Sequence, residues 1–157
     1  MTATTILHKR DIDGMKENRR VHPFNDKAVM NLKSLGDAAG LTDTGVHLAR
    51  VAPGDETTAC HSHELSDEFV YILSGTATLT VGDEQYELGA GDFAGFAANG
   101  PAHIMQNTGS EDLVYLMAGG RPHVDILNYP RAGKKMYKVG TRVDIVDTPH
   151  IKEIHRS

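Results

Sequence analysis

At 157 residues the chain is long enough for one domain with a real core and too short for two ordinary ones. A net charge of −5 with scattered basic residues argues against a nucleic-acid surface, and no stretch approaches the ~20 apolar residues of a membrane span. Cys60 is the single cysteine, so no disulfide forms within the chain; the N-terminus lacks the apolar core of a signal peptide, and a cytoplasmic protein is expected.

Low aromatic content (6%), no tryptophan and 16 glycines suit short strands joined by tight turns better than a helical bundle. Residues 1–25 are polar and mixed in charge, an arm that cannot build its own core and that ends in His22-Pro23-Phe24-Asn25. Over 27–39, Val29, Leu32 and Leu35 fall on one helical stripe, kept short by Gly36 and Gly40. Asp43-Thr44-Gly45 reads as a turn, and the strand pattern then begins with 45–51, closed by Pro53-Gly54. Strands follow at 57–63 and at 68–73, the latter an apolar run of the kind buried on both faces. Ser74-Gly75 turns into 76–81, Gly82-Asp83 is a hairpin signal before 85–88, and further strands are predicted at 92–97, 103–107 and 112–118. Such spacing, without helical interludes, predicts an all-β fold: an antiparallel jelly roll or closed barrel over 41–120. An arm and short helix (1–40) precede it, and a C-terminal tail (121–157) packs on it, with 143–146 as one more strand. No second helix precedes the barrel, so no helix-turn-helix module is expected.

On a strand, residues two apart share a face, so His61 and His63 present both imidazoles to one side, about 7 Å apart at Cα. Glu68, five residues past His63, belongs to the opposite face of an unbroken strand; the polar, turn-prone 64–67 supplies a break that returns it inward. His103 follows the Asn99-Gly100-Pro101 turn in a second glycine-bounded segment. Three histidines and a carboxylate on β-structure suit a divalent transition metal. By the same alternation Glu68, Val70 and Ile72 share one face, as do His103, Met105 and Asn107, giving an apolar lumen around a polar centre. Phe69, Tyr71 and Leu73 face the other way, toward a second sheet or a partner subunit, and Cys60 alternates away from His61 as a packing residue.

These two segments resemble the motifs of the cupin superfamily in its small single-domain form. Gly54, His61, His63, Glu68 and Gly75 follow the first motif, with one extra residue between Gly54 and His61. Gly91-Asp92, His103 and Asn107 follow the second, whose usual Pro-x-Gly turn is replaced here by Ala97-Ala98-Asn99-Gly100-Pro101. The resemblance covers about residues 45–120 and implies a double-stranded β-helix holding one metal ion through His61, His63, Glu68 and His103. Asp67 rivals Glu68 as the carboxylate; Glu68 puts Gly75 in register. Barrel edges that an arm or second subunit would cover predict a homodimer.

Neutral nitrogen with one hard oxygen accommodates zinc, iron, manganese, nickel or cobalt. Four ligands on an octahedral ion leave two positions open for chemistry, whereas tetrahedral zinc leaves none and makes the site structural. Three functions remain open: sugar or sugar-phosphate isomerisation, to whose cupins the His61–Asp83 stretch is similar; an Fe(II)- or Ni(II)-dependent dioxygenase, its pocket supplied by Phe93, Phe96 and Met105; and small-molecule binding without turnover. A sugar phosphate calls for a cation at the mouth, for which Arg50 and Arg121 are candidates. Proton transfer calls for an acid or base beyond the ligands, and the candidates are His47, Tyr115 and His123.

Overall fold

The computed structural model describes residues 5–152 and 154. A short helix α1 (Lys9–Gly14) leads into strands β1 (Asn18–His22) and β2 (Asn25–Ser34), then a single helical turn α2 (Leu35–Ala38). The remaining strands are β3 (Thr44–Val51), β4 (Ser62–His63), β5 (Glu68–Ser74), β6 (Ala77–Val81), β7 (Glu84–Leu88), β8 (Phe93–Phe96), β9 (His103–Asn107), β10 (Leu113–Gly120), β11 (Val124–Tyr129), β12 (Lys134–Val139) and β13 (Arg142–Asp147).

One layer of the jelly roll is a six-stranded antiparallel sheet in the order β1-β2-β3-β10-β5-β8. The other is made of two sheets, β13-β12-β11-β4 and β7-β6-β9. They meet where His61 and His103 exchange both backbone hydrogen bonds, at 3.1 and 2.8 Å, so the two sheets run on as one layer. The core between the layers takes Ala49, Val51, Ile72, Leu113 and Tyr115 from the first and Ala77, Leu79 and Met105 from the second. Side chains such as Ile72 and Leu113, fully buried here, contribute about 1.5–3 kcal/mol each relative to exposure. Asn107 is also fully buried; it holds the 107–111 turn by donating to the carbonyls of Val51 and Glu111 and accepting from Gly109 N–H.

The predicted helix over 27–39 is instead the ten-residue strand β2, with only α2 helical. Ala28, Met30 and Leu32, two apart, pack inward, while the three-residue spacing of Val29, Leu32 and Leu35 marks no buried stripe. Strand wins because β2 hydrogen-bonds β1 on one side and β3 on the other, a tertiary pairing that local periodicity does not contain. The strand expected over 57–63 shrinks to Ser62–His63; ahead of it the chain follows β9 through isolated bridges, at Glu56 to Gln106 and at His61 to His103.

The arm is tied to the six-stranded sheet. Glu17 accepts two hydrogen bonds from Arg50, at 3.0 and 2.6 Å, and Lys33 donates to the carbonyls of Ile12 and Asp13. The tail carries three strands where one was expected, and β11 pairs with β4 opposite His63. Tyr71, Leu73 and Phe93 lie exposed on the outer face of β5 and β8. No helix among the described residues is long and apolar enough to cross a membrane.

Gly75 closes the β5–β6 turn at φ +84°, where an added Cβ would stand 2.7 Å from Asp112 O and 2.9 Å from Leu113 Cα. Gly54 has nearly the same conformation, φ +85°, but open space around it. Gly54→Ala should cost about 1–2 kcal/mol of left-handed strain alone, and Gly75→Ala distinctly more, because backbone must move. Urea midpoints of the two variants measure the difference; equal losses would show that the contact with Asp112 and Leu113 yields freely.

Candidate metal centre

His61 and His103 form a hydrogen-bonded antiparallel pair, a geometry that sets their Cα atoms about 5.5 Å apart with side chains on one face. His63, two residues on, shares that face. Residues 64–67 then leave this layer and cross to the opposite sheet, where Glu68 begins β5. Glu68 sits opposite Gly119 of β10, where a Cβ would press to 3.0 Å from its Cγ, so the glycine makes room for the carboxylate arm. In the altered turn before β9, Asn99 adopts φ 60° and donates its backbone N–H to His63 O at 2.8 Å, bracing the short strand that carries His63.

Four donor atoms converge. Glu68 Oε2 lies 3.4 Å from His61 Nε2, 3.4 Å from His63 Nε2 and 3.5 Å from His103 Nε2. These separations exceed the ~2.7–3.2 Å of ordinary hydrogen bonds, so the atoms gather without being bonded to one another. The far sides of two rings are fixed: His61 Nδ1 donates to Ala59 O at 3.0 Å, and His63 Nδ1 to Asp125 Oδ2 at 2.6 Å. Both partners only accept, so Nδ1 carries the proton and the Nε2 lone pair faces Glu68. His103 is held instead by stacking on Phe96, centroids 3.6 Å apart and planes 3° off parallel; its Nδ1 is buried without a partner among the described residues. Two aimed imidazole lone pairs, the Nε2 of a third imidazole and one carboxylate fit a divalent transition-metal ion.

The electrostatics agree with that chemistry. Burial opposes the charge on Glu68, yet the three surrounding imidazoles hold its carboxyl well below the usual range. Burial depresses His63, but Glu68 and Asp125 outweigh it and raise its pKa. For His103 burial prevails over the pull of Glu68, and the pKa falls. Asp125 is kept low against its own burial by the bonds from His63 and Ser66.

The cluster forms part of the wall of a cavity of about 240 Å³. Much of the remaining wall is apolar: Met30, Val70, Leu79, Phe96, Met105 and Met117. Two phenols join them. Tyr115, 2% exposed, donates to Met30 Sδ at 3.2 Å, and burial together with the Glu68 charge raises its pKa. Tyr129 stacks over His61 at 5.9 Å, its hydroxyl pushed up to about 12 by burial and the charges of Glu68 and Asp125.

Of the residues singled out from sequence, His61, His63, Glu68 and His103 come together, and Tyr115 lines the same cavity. Asp67 is exposed and turned elsewhere, accepting from Ala98 N–H at 2.8 Å. His47 lies one strand beyond Met117, its Nδ1 within 2.9 Å of Ser34 Oγ, with burial and Arg121 lowering its pKa. His123 sits beside Gly140 in a second surface hollow, with Ser66, Asp67 and Arg121. Neither of these two histidines lines the cavity. Arg50 is committed to Glu17 and Asp112, Arg121 to Asp37, and no lysine or arginine lines the cavity among the described residues. Phe96 and Met105 reach the lumen; Phe93 is exposed and packs on Phe69. Cys60 is buried, and the wall does not include it.

Sequence reasoning assigned no role to Asp125, Leu127 or Tyr129. Their common parity on a tail strand was the available signal, obscured because Val124 and Ile126 make the intervening positions apolar too.

A family model for the cupin domain matches residues 47–119. No curated protein matches the chain. Among solved structures, a candidate sugar phosphate isomerase from Acidithiobacillus ferrooxidans is 39% identical over 98% of both chains, with a TM-score of 0.95. A sugar phosphate isomerase of the cupin superfamily from Silicibacter pomeroyi is 26% identical, over 89% of this chain and 92% of that one, with a TM-score of 0.83. A predicted oxalate decarboxylase from Thermotoga maritima shares the fold alone, at 20% identity and a TM-score of 0.60, over 71% of this chain and 96% of that one.

Glu68 and Asp125 have folded-state pKa values below their unfolded ones, so their stabilisation is present above the unfolded carboxylate pKa and is lost as pH falls through the folded values. His63 has the opposite sign: its contribution is present below the unfolded imidazole pKa and is lost as pH rises through its raised folded value. The urea midpoint of metal-free protein should therefore drop below about pH 4 and decline again above about pH 6.5. Glu68→Gln should flatten both limbs; an unchanged acid limb would assign the acid sensitivity to other carboxylates.

Proposed function

This chain belongs to the cupin superfamily, and we propose that it is a metal-dependent enzyme that isomerises a small hydroxy-carbonyl compound of the sugar or sugar-phosphate type. The observation that carries the reading is the convergence of three imidazole nitrogens on one carboxylate oxygen at the wall of a cavity that also presents two phenol donors. Support for the reaction class comes from the two similar structures named as sugar phosphate isomerases, one of them a candidate.

His61, His63, Glu68 and His103 would hold one zinc, iron, manganese, nickel or cobalt ion. A bound divalent ion supplies Lewis acidity that polarises a carbonyl oxygen. The chain supplies the rest. Tyr115 and Tyr129, both held protonated near neutrality, are hydrogen-bond donors to substrate oxygens. The bond from Tyr115 to the Met30 thioether is a weak one, readily exchanged for an oxygen acceptor. The methionine-rich wall keeps water from the reacting carbons. A cavity of about 240 Å³ falls below the ~300–1,000 Å³ usual for drug-sized ligands, so the reacting end is compact. With no lysine or arginine on the wall among the described residues, a phosphate group belongs outside the cavity.

A second reading, an iron- or nickel-dependent dioxygenase, draws on the apolar wall of Met30, Phe96 and Met105, which suits a less polar substrate and dioxygen.

Protein purified without added metal or chelator should contain a divalent transition metal by elemental analysis, and His61→Ala with His103→Ala should lose it; wild-type metal content in the double variant places the ion elsewhere. The metal-loaded protein should interconvert small ketoses and aldoses without oxygen uptake. Tyr115→Phe, which removes one donor to the substrate oxygens, should lower turnover about 100- to 1,000-fold with metal content unchanged. Substrate-dependent oxygen consumption without aldose–ketose turnover would establish the second reading, and inactivity in both assays would reduce the site to binding or structure.

A further inference from the structure

We propose that Asp125 is a positioning residue of the centre, holding His63 in the orientation and tautomer that aim Nε2 inward and thereby linking metal binding to docking of the C-terminal sheet. The inference rests on the metal reading above but concerns a residue outside the matched cupin segment.

Asp125 is 3% exposed, and its carboxylate is surrounded by donors. Oδ2 accepts from His63 Nδ1 at 2.6 Å and from Ser66 Oγ at 2.9 Å; Oδ1 accepts from the backbone N–H groups of Leu65 at 3.2 Å and Ile126 at 2.9 Å. A carboxylate so occupied acts through its neighbours. It faces the outer edge of the His63 ring, on the side away from Glu68, because Nδ1 and Nε2 of that ring point to different carboxylates.

The three histidines differ in this respect. His61 is backed by a backbone carbonyl and His103 has no partner at Nδ1 among the described residues, so of the three His63 is the one seen with an anionic acceptor. A carboxylate behind a ligating imidazole fixes its tautomer and raises the donor strength of the other nitrogen. The same carboxylate ties 64–67, the crossing between His63 and Glu68, to β11. Glu64 N–H bonds Ile126 O at 2.9 Å beside it, and Leu127 pairs with His63. Two ligands of the set are therefore spaced by a loop whose anchor lies some 60 residues further on, as the separation of His63 and Asp125 by 62 positions records.

The test is a cobalt(II) titration, followed by visible absorption, of wild type, Asp125→Asn and Ser66→Ala. Asp125→Asn should raise the cobalt dissociation constant about 10- to 100-fold, and Ser66→Ala, which keeps the His63–Asp125 pair, by less. Zinc loading should slow hydrogen exchange at the Leu65 and Ile126 amides in wild type and not in Asp125→Asn. Equal cobalt affinity in wild type and Asp125→Asn overturns this inference and leaves the metal reading standing; a wild type that binds no cobalt overturns both. Should Asp125→Asn fail to fold, NMR of zinc-loaded wild type decides. A slowly exchanging His63 Nδ1–H supports the inference, and a ring bound through Nδ1, or one whose Nδ1–H exchanges as fast as that of His103, overturns it.

Discussion

The backbone pair between His61 and His103 is the contact on which the rest depends. With its two hydrogen bonds the tail-containing sheet and the β6–β9 sheet become one layer, and the jelly roll closes around its core. The same two bonds place two imidazoles side by side on the inner face, so architecture and chemistry share one seam. Strand alternation adds His63 to that face, and Glu68 needs only to cross the narrow gap between layers to reach all three rings. Side chains drawn from separate strands are thus located by backbone hydrogen bonds, which are more rigid than any loop that might have carried them.

Such a cluster carries a cost, since a buried carboxylate and three rings oppose the apolar packing around them. The chain offsets it differently at each member. Glu68 keeps its charge because the imidazoles surround it, His61 and His63 spend their outer nitrogens on acceptors, and His103 is packed face to face with Phe96. The remaining wall is methionine, leucine, valine and phenylalanine, which leaves polarity concentrated at one place. Methionine adapts its shape readily, so three of them around one cavity favour a lumen that accommodates ligand contours more than a rigid mould.

How much of this was legible in the sequence depended on how local the determinants were. The His-x-His parity, the break at 64–67 and the glycine-bounded strands are local features, and the structure follows them closely. Elements decided by partners were hidden. β2 shows a helical stripe by accident and becomes a strand because two neighbours pair with it. In the tail, β12 carries four charged or polar positions in Lys134-Lys135-Met136-Tyr137-Lys138-Val139 and looks like a solvated segment until β11 and β13 flank it. Asp125 was invisible as a site residue for the same reason: only the pairing of β11 with β4 reveals what it faces. Parity also brought His47 to the correct side of β3, but parity does not say how far along or across a sheet the cavity extends, and His47 ends beside Ser34.

The distribution of polar groups constrains how any ligand must lie. The phenols of Tyr115 and Tyr129 can donate to an oxygen and the Glu68 carboxylate can accept from a hydroxyl, while Leu79 offers no polar atom and Met30 and Met105 only weakly accepting sulfurs. On the proposed reading a ligand turns its polar edge to the His61–His103 seam and its carbon skeleton to the methionine wall. A short hydroxy-carbonyl segment, polar along one edge and bare along the opposite, satisfies both. With Arg50 and Arg121 already committed to acidic partners, a strongly anionic group finds no lysine or arginine on this wall among the described residues.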